Sequence, residues 1–346
     1  MPATPPTVEP MSLPQPPFPS RRPEGRLIAP GSIPGLHHVT AITADPQANV
    51  DFYAGVLGLR FVKRTVNFDD PGSYHLYFGD ELGRPGGIMT FFGWPGASRG
   101  RRGAGQLTET AFSVPPESLD FWTAHLRAHG VEAELSLRFG DEVLSLADPD
   151  GLALELIASP QDDRAPWDGG PVPPEHGIRG FRAITVTVVS ADPTAALLTG
   201  PMGFETVASR GSRSRFVSAH GARAGVIDVL EAPRESGGIV SAGTVHHVAW
   251  RTPGDEEQLV WRAALIAAGR DVTHVYDRRY FHSIYFREPG GVLFEIATDP
   301  PGFTLDEPAA ELGTRLALPP WLEESRPAIE AHLPPVTMPV ARSTPG

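Results

Sequence analysis

Residues 290–300 read GGVLFEIATDP, a glycine turn followed by a short apolar strand that ends at a proline. Three further segments of the 346-residue chain share this ending: GGIMTFFGWP (86–95), GLALELIASP (151–160) and ARAGVIDVLEAP (222–233). Five residues before each final proline stand Thr90, Glu155, Asp228 and Glu295, at spacings of 65, 73 and 67 residues. A strand ending that recurs so regularly predicts an internal repeat.

The segments that precede these endings repeat as well. Each begins with a short strand, and the positions that correspond before the following helix are His38, Glu109, Ala183 and His247. The stretches PQANVDFYAGVLGLRFV (46–62) and PESLDFWTAHLRAHGVEA (116–133) have apolar residues at helical spacing. Glycines 58 and 130 stand where a left-handed helix cap is expected. Each repeat therefore predicts a βαβββ module.

A module of this size cannot close a hydrophobic core alone, so we expect the four modules to pair around cavities. This plan resembles the vicinal oxygen chelate superfamily, which includes glyoxalase I, extradiol dioxygenases and bleomycin-resistance proteins, over about residues 35–302. The resemblance implies an α+β fold with four βαβββ modules paired into two curved-sheet barrels. The expected divisions are a disordered Pro-rich arm (1–30), modules 1 and 2 (31–165), modules 3 and 4 (175–302), and a C-terminal helix and tail (303–346).

Composition restricts the classes of partner. The net charge of −12 argues against a nucleic-acid partner, because phosphate binding needs a basic face. No apolar run reaches the roughly 18 residues of a membrane span, and the N-terminus lacks the apolar core of a secretory signal. The sequence has no cysteine, which excludes cysteine-based metal sites and nucleophiles. We therefore expect a cytoplasmic protein that binds neither nucleic acid nor membrane.

Two histidine pairs mark the first strands of modules 1 and 4, in GLHHVT (35–40) and TVHHVAW (244–250). These two modules alone place histidine at the repeated first-strand position, as His38 and His247, and module 4 adds Glu295 at the strand ending. Two imidazoles and one carboxylate form the facial set that leaves open positions on a non-haem Fe(II) ion, with Mn(II) as the alternative. It follows that modules 1 and 4 should share one cavity.

The equivalent positions in modules 2 and 3 are Glu109, Glu155, Ala183 and Asp228. Three carboxylates are able to hold a hard cation. We favour a non-catalytic pair of modules instead, because no histidine is present there and arginines such as Arg182 can neutralise the acids.

Four segments indicate which branch of the superfamily the chain resembles: GLHHVT, TVHHVAW, RRYFHSIYFREPGGVLFEIATD (278–299) and LALPPWLEESRPAIEAHLPPV (316–336). Together they resemble the ring-cleaving dioxygenases that act on hydroquinones. The resemblance implies that His38, His247 and Glu295 bind the iron. It also implies catalytic roles for the residues at the matching positions of that family, namely His37, Thr40, His246, Arg278 and Tyr285.

Some assignments stay open at this point. Strand side chains alternate, so His37 and His246 should face away from their neighbours unless a bulge intervenes. The sequence also leaves open whether Arg278 or Arg279 faces the cavity.

The function that this resemblance implies is O2-dependent cleavage of a hydroquinone-like or catecholic ring by an Fe(II) enzyme that forms a homo-oligomer. A catechol enzyme with all its ligands in the second half of the chain is disfavoured, because module 3 offers Arg182 and Ala183 where a histidine is needed. Two other functions remain: a redox-neutral glyoxalase-type isomerase or lyase, which would want a fourth ligand near Thr90, and a non-catalytic protein that binds an aromatic drug. The ring substituents and the bond that is cleaved stay undetermined.

Overall fold

The computed structural model describes residues 31–221 and 223–339. The Pro-rich arm predicted for residues 1–30 and the end of the predicted tail, 340–346, lie outside the described residues.

Four modules of the predicted βαβββ type follow one another along the described chain. Module 1 comprises β1 (Leu36–Thr43), α1 (Pro46–Val50), which continues as a π-helix (Asp51–Val56), β2 (Arg60–Asn67), β3 (Asp70–Gly79) and β4 (Ile88–Gly93). Module 2 comprises β5 (Gln106–Val114), α2 (Leu119–Ala128), β6 (Ala133–Arg138), β7 (Asp141–Ala147) and β8 (Ala153–Ala158). Module 3 comprises β9 (Phe181–Val188), α3 (Ala191–Thr199), β10 (Phe204–Arg210), β11 (Arg213–Ser218) and β12 (Val226–Glu231). Module 4 comprises β13 (Val245–Thr252), α4 (Asp255–Ala267), β14 (Tyr276–Asp277), β15 (Phe281–Arg287) and β16 (Leu293–Pro301).

Two eight-stranded sheets are built from these modules, and each takes one module from either half of the chain. The sheet of modules 1 and 4 has the order β14-β15-β16-β13-β1-β4-β3-β2, and we call it the first barrel. The sheet of modules 2 and 3 has the order β10-β11-β12-β9-β5-β8-β7-β6 and is the second barrel. The antiparallel pairing of β1 with β13 joins the first barrel, and that of β5 with β9 joins the second. The predicted α+β fold and the pairing of module 1 with module 4 are confirmed.

Local sequence explains how the first helix begins and ends. The Asp45 side chain caps α1 by accepting hydrogen bonds from the backbone N–H groups of Gln47 and Ala48. Gly58, which follows the π-helix, has a φ of 71°, a left-handed conformation that favours glycine. A Cβ atom at this glycine would also lie 2.7 Å from the side chain of Val172, so the close approach itself requires glycine.

The C-terminal segment packs on the first barrel. It contains 3-10 turns at Phe303–Leu305, Ala309–Glu311 and Pro320–Ser325, and then α5 (Arg326–His332). Phe303 and Leu312 belong to the apolar cluster inside the barrel, and Leu316 pairs with Arg64 of β2. The fully buried ammonium of Lys63 lies 2.7 Å from Asp306 and also pairs with Glu307. The segment thereby covers an edge of the sheet that would otherwise expose unpaired backbone groups.

Among the described residues, no helix combines the length and the apolar character that crossing a membrane requires.

Candidate metal centre

Three buried side chains from β1, β13 and β16 converge inside the first barrel. The Nε2 atoms of His38 and His247 are 3.3 Å apart. Glu295 Oε2 lies 3.4 Å from Nε2 of His38 and 3.0 Å from Nε2 of His247. Within residues 31–221 and 223–339, this is the one group of histidine and acidic side chains close enough to hold a metal ion.

The sequence places these three residues together through strand register. Ala249 of β13 lies opposite His38 on one neighbouring strand and beside Glu295 on the other. Its methyl side chain is small, so the longer side chains on both flanks can meet above it. His247, two residues earlier on β13, completes the set from the same strand face.

The triangle fits a first-row metal ion. Ligand atoms at about 2.1 Å from a metal lie about 3.0 Å apart at right angles and about 3.4 Å apart at tetrahedral angles, which spans the observed distances. Ser283 donates a 2.5 Å hydrogen bond to Glu295 Oε1, whereas the buried Oε2 has no well-aligned hydrogen bond with a described side chain. Burial alone would raise the pKa of the Glu295 carboxyl, but the neighbouring imidazole of His38 and that of His247 hold it well below its usual range. The carboxylate is therefore charged, as a ligand must be.

Each HH pair contains a bulge at its first histidine. Between β1 and β13 the pairing skips His37, which precedes His38, and skips His246, which precedes His247. A bulge sets two residues opposite one, so consecutive side chains can approach each other. Nδ1 of His37 is 2.9 Å from Nδ1 of His38, and the corresponding distance in the second pair is 2.8 Å.

This contact suits the tautomer that each candidate ligand needs. A histidine that binds metal through Nε2 carries its proton on Nδ1 and must donate it to a partner. Burial, and then the neighbouring His38, lower the pKa of His37 well below its usual value. Burial, and then the neighbouring His247, lower the pKa of His246 to about 3. Both first histidines are therefore neutral and can accept the proton at Nδ1.

A cavity of about 430 Å³ opens above the three candidate ligands. Its walls include Phe92, which contacts the ring of His246, and Phe281, which contacts the ring of His38. Trp250, a further aromatic near the motif, is instead fully buried in the core between Phe204 and Phe294. The cavity is large enough for a single aromatic ring beside the metal site.

Tyr285 and Arg278 form one hydrogen-bonded unit in the wall of this cavity. Tyr285 lies opposite Glu295 in the pairing of β15 with β16, and its hydroxyl accepts a 3.2 Å hydrogen bond from Arg278 Nε. Burial, and then the charge of Glu295, raise the pKa of Tyr285, so its hydroxyl keeps its proton. Arg279 points elsewhere, because its Nε lies 3.6 Å from Asp306 on the C-terminal segment. Arg278 is thus the arginine that faces the cavity.

The structure adds His75 and Tyr77 of β3, which we did not predict. The Tyr77 hydroxyl lies 2.8 Å from His75 Nδ1, and Nε2 of the same imidazole lies 2.8 Å from the Thr90 hydroxyl. Thr90 in turn donates a 2.9 Å hydrogen bond to Thr40. A chain of hydrogen bonds therefore runs from Tyr77 to Thr40 and passes through Thr90, the residue that corresponds by repeat to Glu295. A repeat-based signal existed, since Tyr77 lies opposite Thr90 as Tyr285 lies opposite Glu295.

Comparison with known proteins agrees with this geometry. Residues 35–156 match the family model "Glyoxalase/Bleomycin resistance protein/Dioxygenase superfamily". The chain is 48% identical over 301 residues to "Putative ring-cleaving dioxygenase MhqO" of Bacillus subtilis, covering 87% of this chain and 96% of the relative. The chain belongs to this superfamily. It is also 36% identical over 302 residues to "Chlorohydroquinone/hydroquinone 1,2-dioxygenase" of Sphingobium indicum, covering 85% of this chain and 94% of the relative.

Solved structures share the fold of this chain. The crystal structure of a "putative dioxygenase" from Bacillus subtilis matches with a TM-score of 0.87 and 46% identity, over 89% of this chain and 99% of that chain. Glyoxalase I from Zea mays matches with a TM-score of 0.58 at 12% identity, over 77% of this chain and 92% of that chain, which shows a shared fold alone. The predicted resemblance to the ring-cleaving dioxygenases of the superfamily is confirmed.

In the second barrel, the positions that correspond by repeat to the candidate metal ligands contain ion pairs. Arg138 binds both carboxylate oxygens of Glu155, at 2.7 and 2.6 Å. Arg213 lies 3.2 Å from Glu109, and Arg215 lies 2.7 Å from Asp228. Arg182, the arginine we expected here, lies 3.8 Å from Asp141. Three arginines that we did not predict therefore neutralise the three acids.

Proposed function

We propose that this protein is an Fe(II)-dependent dioxygenase that cleaves the ring of a hydroquinone-like or catecholic substrate with O2. The observation that carries the proposal is the triangle of His38, His247 and Glu295, with ligand atoms 3.0–3.4 Å apart in a buried site. Two imidazoles and one carboxylate suit Fe(II), and this set leaves positions open for a substrate and for O2. Mn(II) has the same preference for mixed nitrogen and oxygen ligands and is the alternative ion.

A bound Fe(II) ion supplies the redox partner for O2 and the positive charge that lowers the pKa of a ring hydroxyl. In the overall reaction a carbon–carbon bond of the ring breaks and both atoms of O2 enter the product, so no external reductant is consumed. The chain must therefore orient the ring, accept and return protons, and stabilise the negative charge on the substrate oxygens.

Tyr285 and Arg278 suit the last two of these tasks. Because Arg278 donates to the Tyr285 oxygen, the tyrosine proton is free to point toward the cavity as a donor. The guanidinium of Arg278 carries a permanent positive charge at the same wall, where it stabilises a developing oxyanion. We assign Tyr285 to proton transfer and Arg278 to charge stabilisation.

His37, His246 and Thr40 complete the proposed set. The two histidines orient the candidate ligands through Nδ1, and His246 also lines the cavity, where it can exchange a proton with the substrate. Thr40 lies opposite His247 across the β1–β13 pairing and receives the hydrogen bond of Thr90. Because its oxygen accepts that hydrogen bond, its own proton is left for another acceptor.

The position of Thr90 argues against a glyoxalase-type reaction. A fourth protein ligand would have to come from this strand position, but threonine occupies it and its hydroxyl is bonded to His75 and Thr40. A metal-free drug-binding protein would have no need for three buried ligand side chains at bonding distance.

Oxygen consumption by the reconstituted protein tests the proposal. The full chain is stripped of metal, reconstituted anaerobically with Fe(II), Mn(II) or Zn(II), and mixed with hydroquinone, methylhydroquinone or catechol in an oxygen electrode. We expect one O2 consumed per ring cleaved with Fe(II), less with Mn(II), and none with Zn(II), which has no redox chemistry. Equal activity with Zn(II), or ring conversion without oxygen uptake, would refute the dioxygenase and favour a redox-neutral enzyme.

The proposal extends to assembly and location. The family resemblance supports a homo-oligomer, and the cysteine-free sequence suits the reducing cytoplasm. Light scattering of the purified chain and fractionation of cells that express it check the two points, and a monomeric or secreted protein would contradict them.

A further inference from the structure

The wall of the cavity above the candidate metal centre contains an ion pair. Among the described residues that line it, Arg278 is the one side chain with a permanent positive charge. Asp69, in the turn between β2 and β3, lines the same cavity, and its Oδ2 lies 2.9 Å from Nη1 of Arg278. This ion pair joins module 1 to module 4 across the cavity.

The other contacts of Arg278 fix its orientation. Its Nε donates to the Tyr285 hydroxyl, and its guanidinium carbon lies 4.9 Å from the ring centre of Tyr276 and 5.5 Å from that of Tyr285. One edge of the guanidinium is thus directed at tyrosine and another at Asp69. A carboxylate on a substrate would compete with Asp69 for this cation.

Apolar and aromatic side chains form much of the remaining wall, including Phe68, Phe92, Trp94, Phe281 and Leu293. Such a surface favours neutral ring substituents over charged ones, because a charge placed against it loses its hydration without gaining a partner.

We propose that Asp69 is a specificity-determining residue that excludes rings with an anionic substituent and so restricts the enzyme to neutral hydroquinones. The inference rests on the proposed function, since it concerns the substrate of that same site. Asp69 acts in two ways: it occupies the cation that would bind a substrate carboxylate, and its own negative charge repels that carboxylate. A neutral substituent meets neither obstacle.

The substitution Asp69→Asn tests this with two probes, methylhydroquinone and its anionic counterpart 2,5-dihydroxybenzoate. We measure kcat/KM for both, and the inhibition constant of 2,5-dihydroxybenzoate against methylhydroquinone. In the variant, we expect the preference for the neutral probe to fall about tenfold or more, mainly through tighter binding of the anion. Asp70→Asn is the matched control, because it removes the same charge one residue away, where the Asp70 carboxylate accepts a hydrogen bond from Ser73.

An unchanged preference in Asp69→Asn, or an equal change in Asp70→Asn, would overturn the inference. A merely structural role of Asp69 would lower kcat/KM for both probes alike and leave their ratio constant, which would also overturn it. Anaerobic equilibrium binding gives the ratio of the two probes' affinities without turnover, and this ratio should shift toward the anion in Asp69→Asn. If the wild-type protein consumes neither probe, the proposed function fails, while the binding ratio still decides the role of Asp69.

Discussion

The substitution Tyr285→Phe separates a catalytic hydroxyl from a structural aromatic ring. Phenylalanine keeps the ring, which packs 5.8 Å from the ring centre of His247 and 5.9 Å from that of Tyr276. The change removes only the hydroxyl and the hydrogen bond that Arg278 donates to it. Because no cavity is created, the cost in unfolding free energy should be about 1 kcal/mol, the usual net value of one hydrogen bond.

Turnover should respond far more strongly than stability. The raised pKa of Tyr285 keeps its proton in place, and the Arg278 contact on its oxygen leaves that proton available to the substrate. Loss of a positioned proton donor lowers kcat by roughly 10²–10⁴-fold. Steady-state oxygen uptake gives kcat, thermal unfolding gives stability, and metal analysis shows whether the centre is still loaded.

Tyr77→Phe provides the matched control for this prediction. Tyr77 lies opposite Thr90 on β4 as Tyr285 lies opposite Glu295 on β16, and both tyrosines line the cavity. Its hydroxyl contacts His75 rather than an arginine, so we expect a loss of less than about tenfold in kcat. An unchanged kcat in Tyr285→Phe at full metal content would refute the proton-donor role, as would equal losses in the two variants.

Three further predictions concern the ligands, the second barrel and pH. His247→Ala should abolish stoichiometric metal binding and turnover without unfolding the protein. His220 is exposed, so the control variant His220→Ala should keep both metal binding and turnover. Full metal content in His247→Ala, measured by elemental analysis, would contradict the assignment of His247 as a ligand. Arg138→Met leaves the buried Glu155 carboxylate without its bidentate partner, so chemical denaturation should show a loss of about 3–5 kcal/mol with kcat per folded molecule unchanged; an unchanged midpoint would refute the role of this ion pair. Burial raises the pKa of Asp148 from 3.8 to about 7, so the folded state holds this proton more tightly than the unfolded state, and the wild type should lose stability relative to Asp148→Asn as the pH rises from about 4 to 7. A pH-independent difference in unfolding free energy between those two proteins would refute this assignment.

Most of the fold and all three candidate ligands could be predicted from the internal repeat. A strand ending that recurs at similar spacing fixes which positions correspond, so the histidines of modules 1 and 4 and Glu295 could be matched before any geometry was known. The pairing of those modules followed, because three ligands on two distant modules can bind one ion only if the modules share a cavity, and the structure joins them in one sheet.

Bulges and contacts across the barrel could not be predicted from the sequence. Simple alternation along a strand sets His37 and His38 on opposite faces, and only the skipped pairing at His37 brings their Nδ1 atoms to 2.9 Å. Asp69 and Arg278 are 209 residues apart, and their contact depends on how far the sheet curls rather than on any local motif. The same holds for Arg138, which contacts Glu155 from the end of β6, on the far side of β7 from the strand of Glu155.

Anomalous diffraction at the iron edge, from crystals of the full chain reconstituted anaerobically with Fe(II), tests the central claim most directly. We predict a single strong peak at about 2.0–2.2 Å from Nε2 of His38, Nε2 of His247 and Oε2 of Glu295, the bond lengths usual for such ligands. A peak elsewhere in the molecule, or iron held without one of these three side chains, would contradict it.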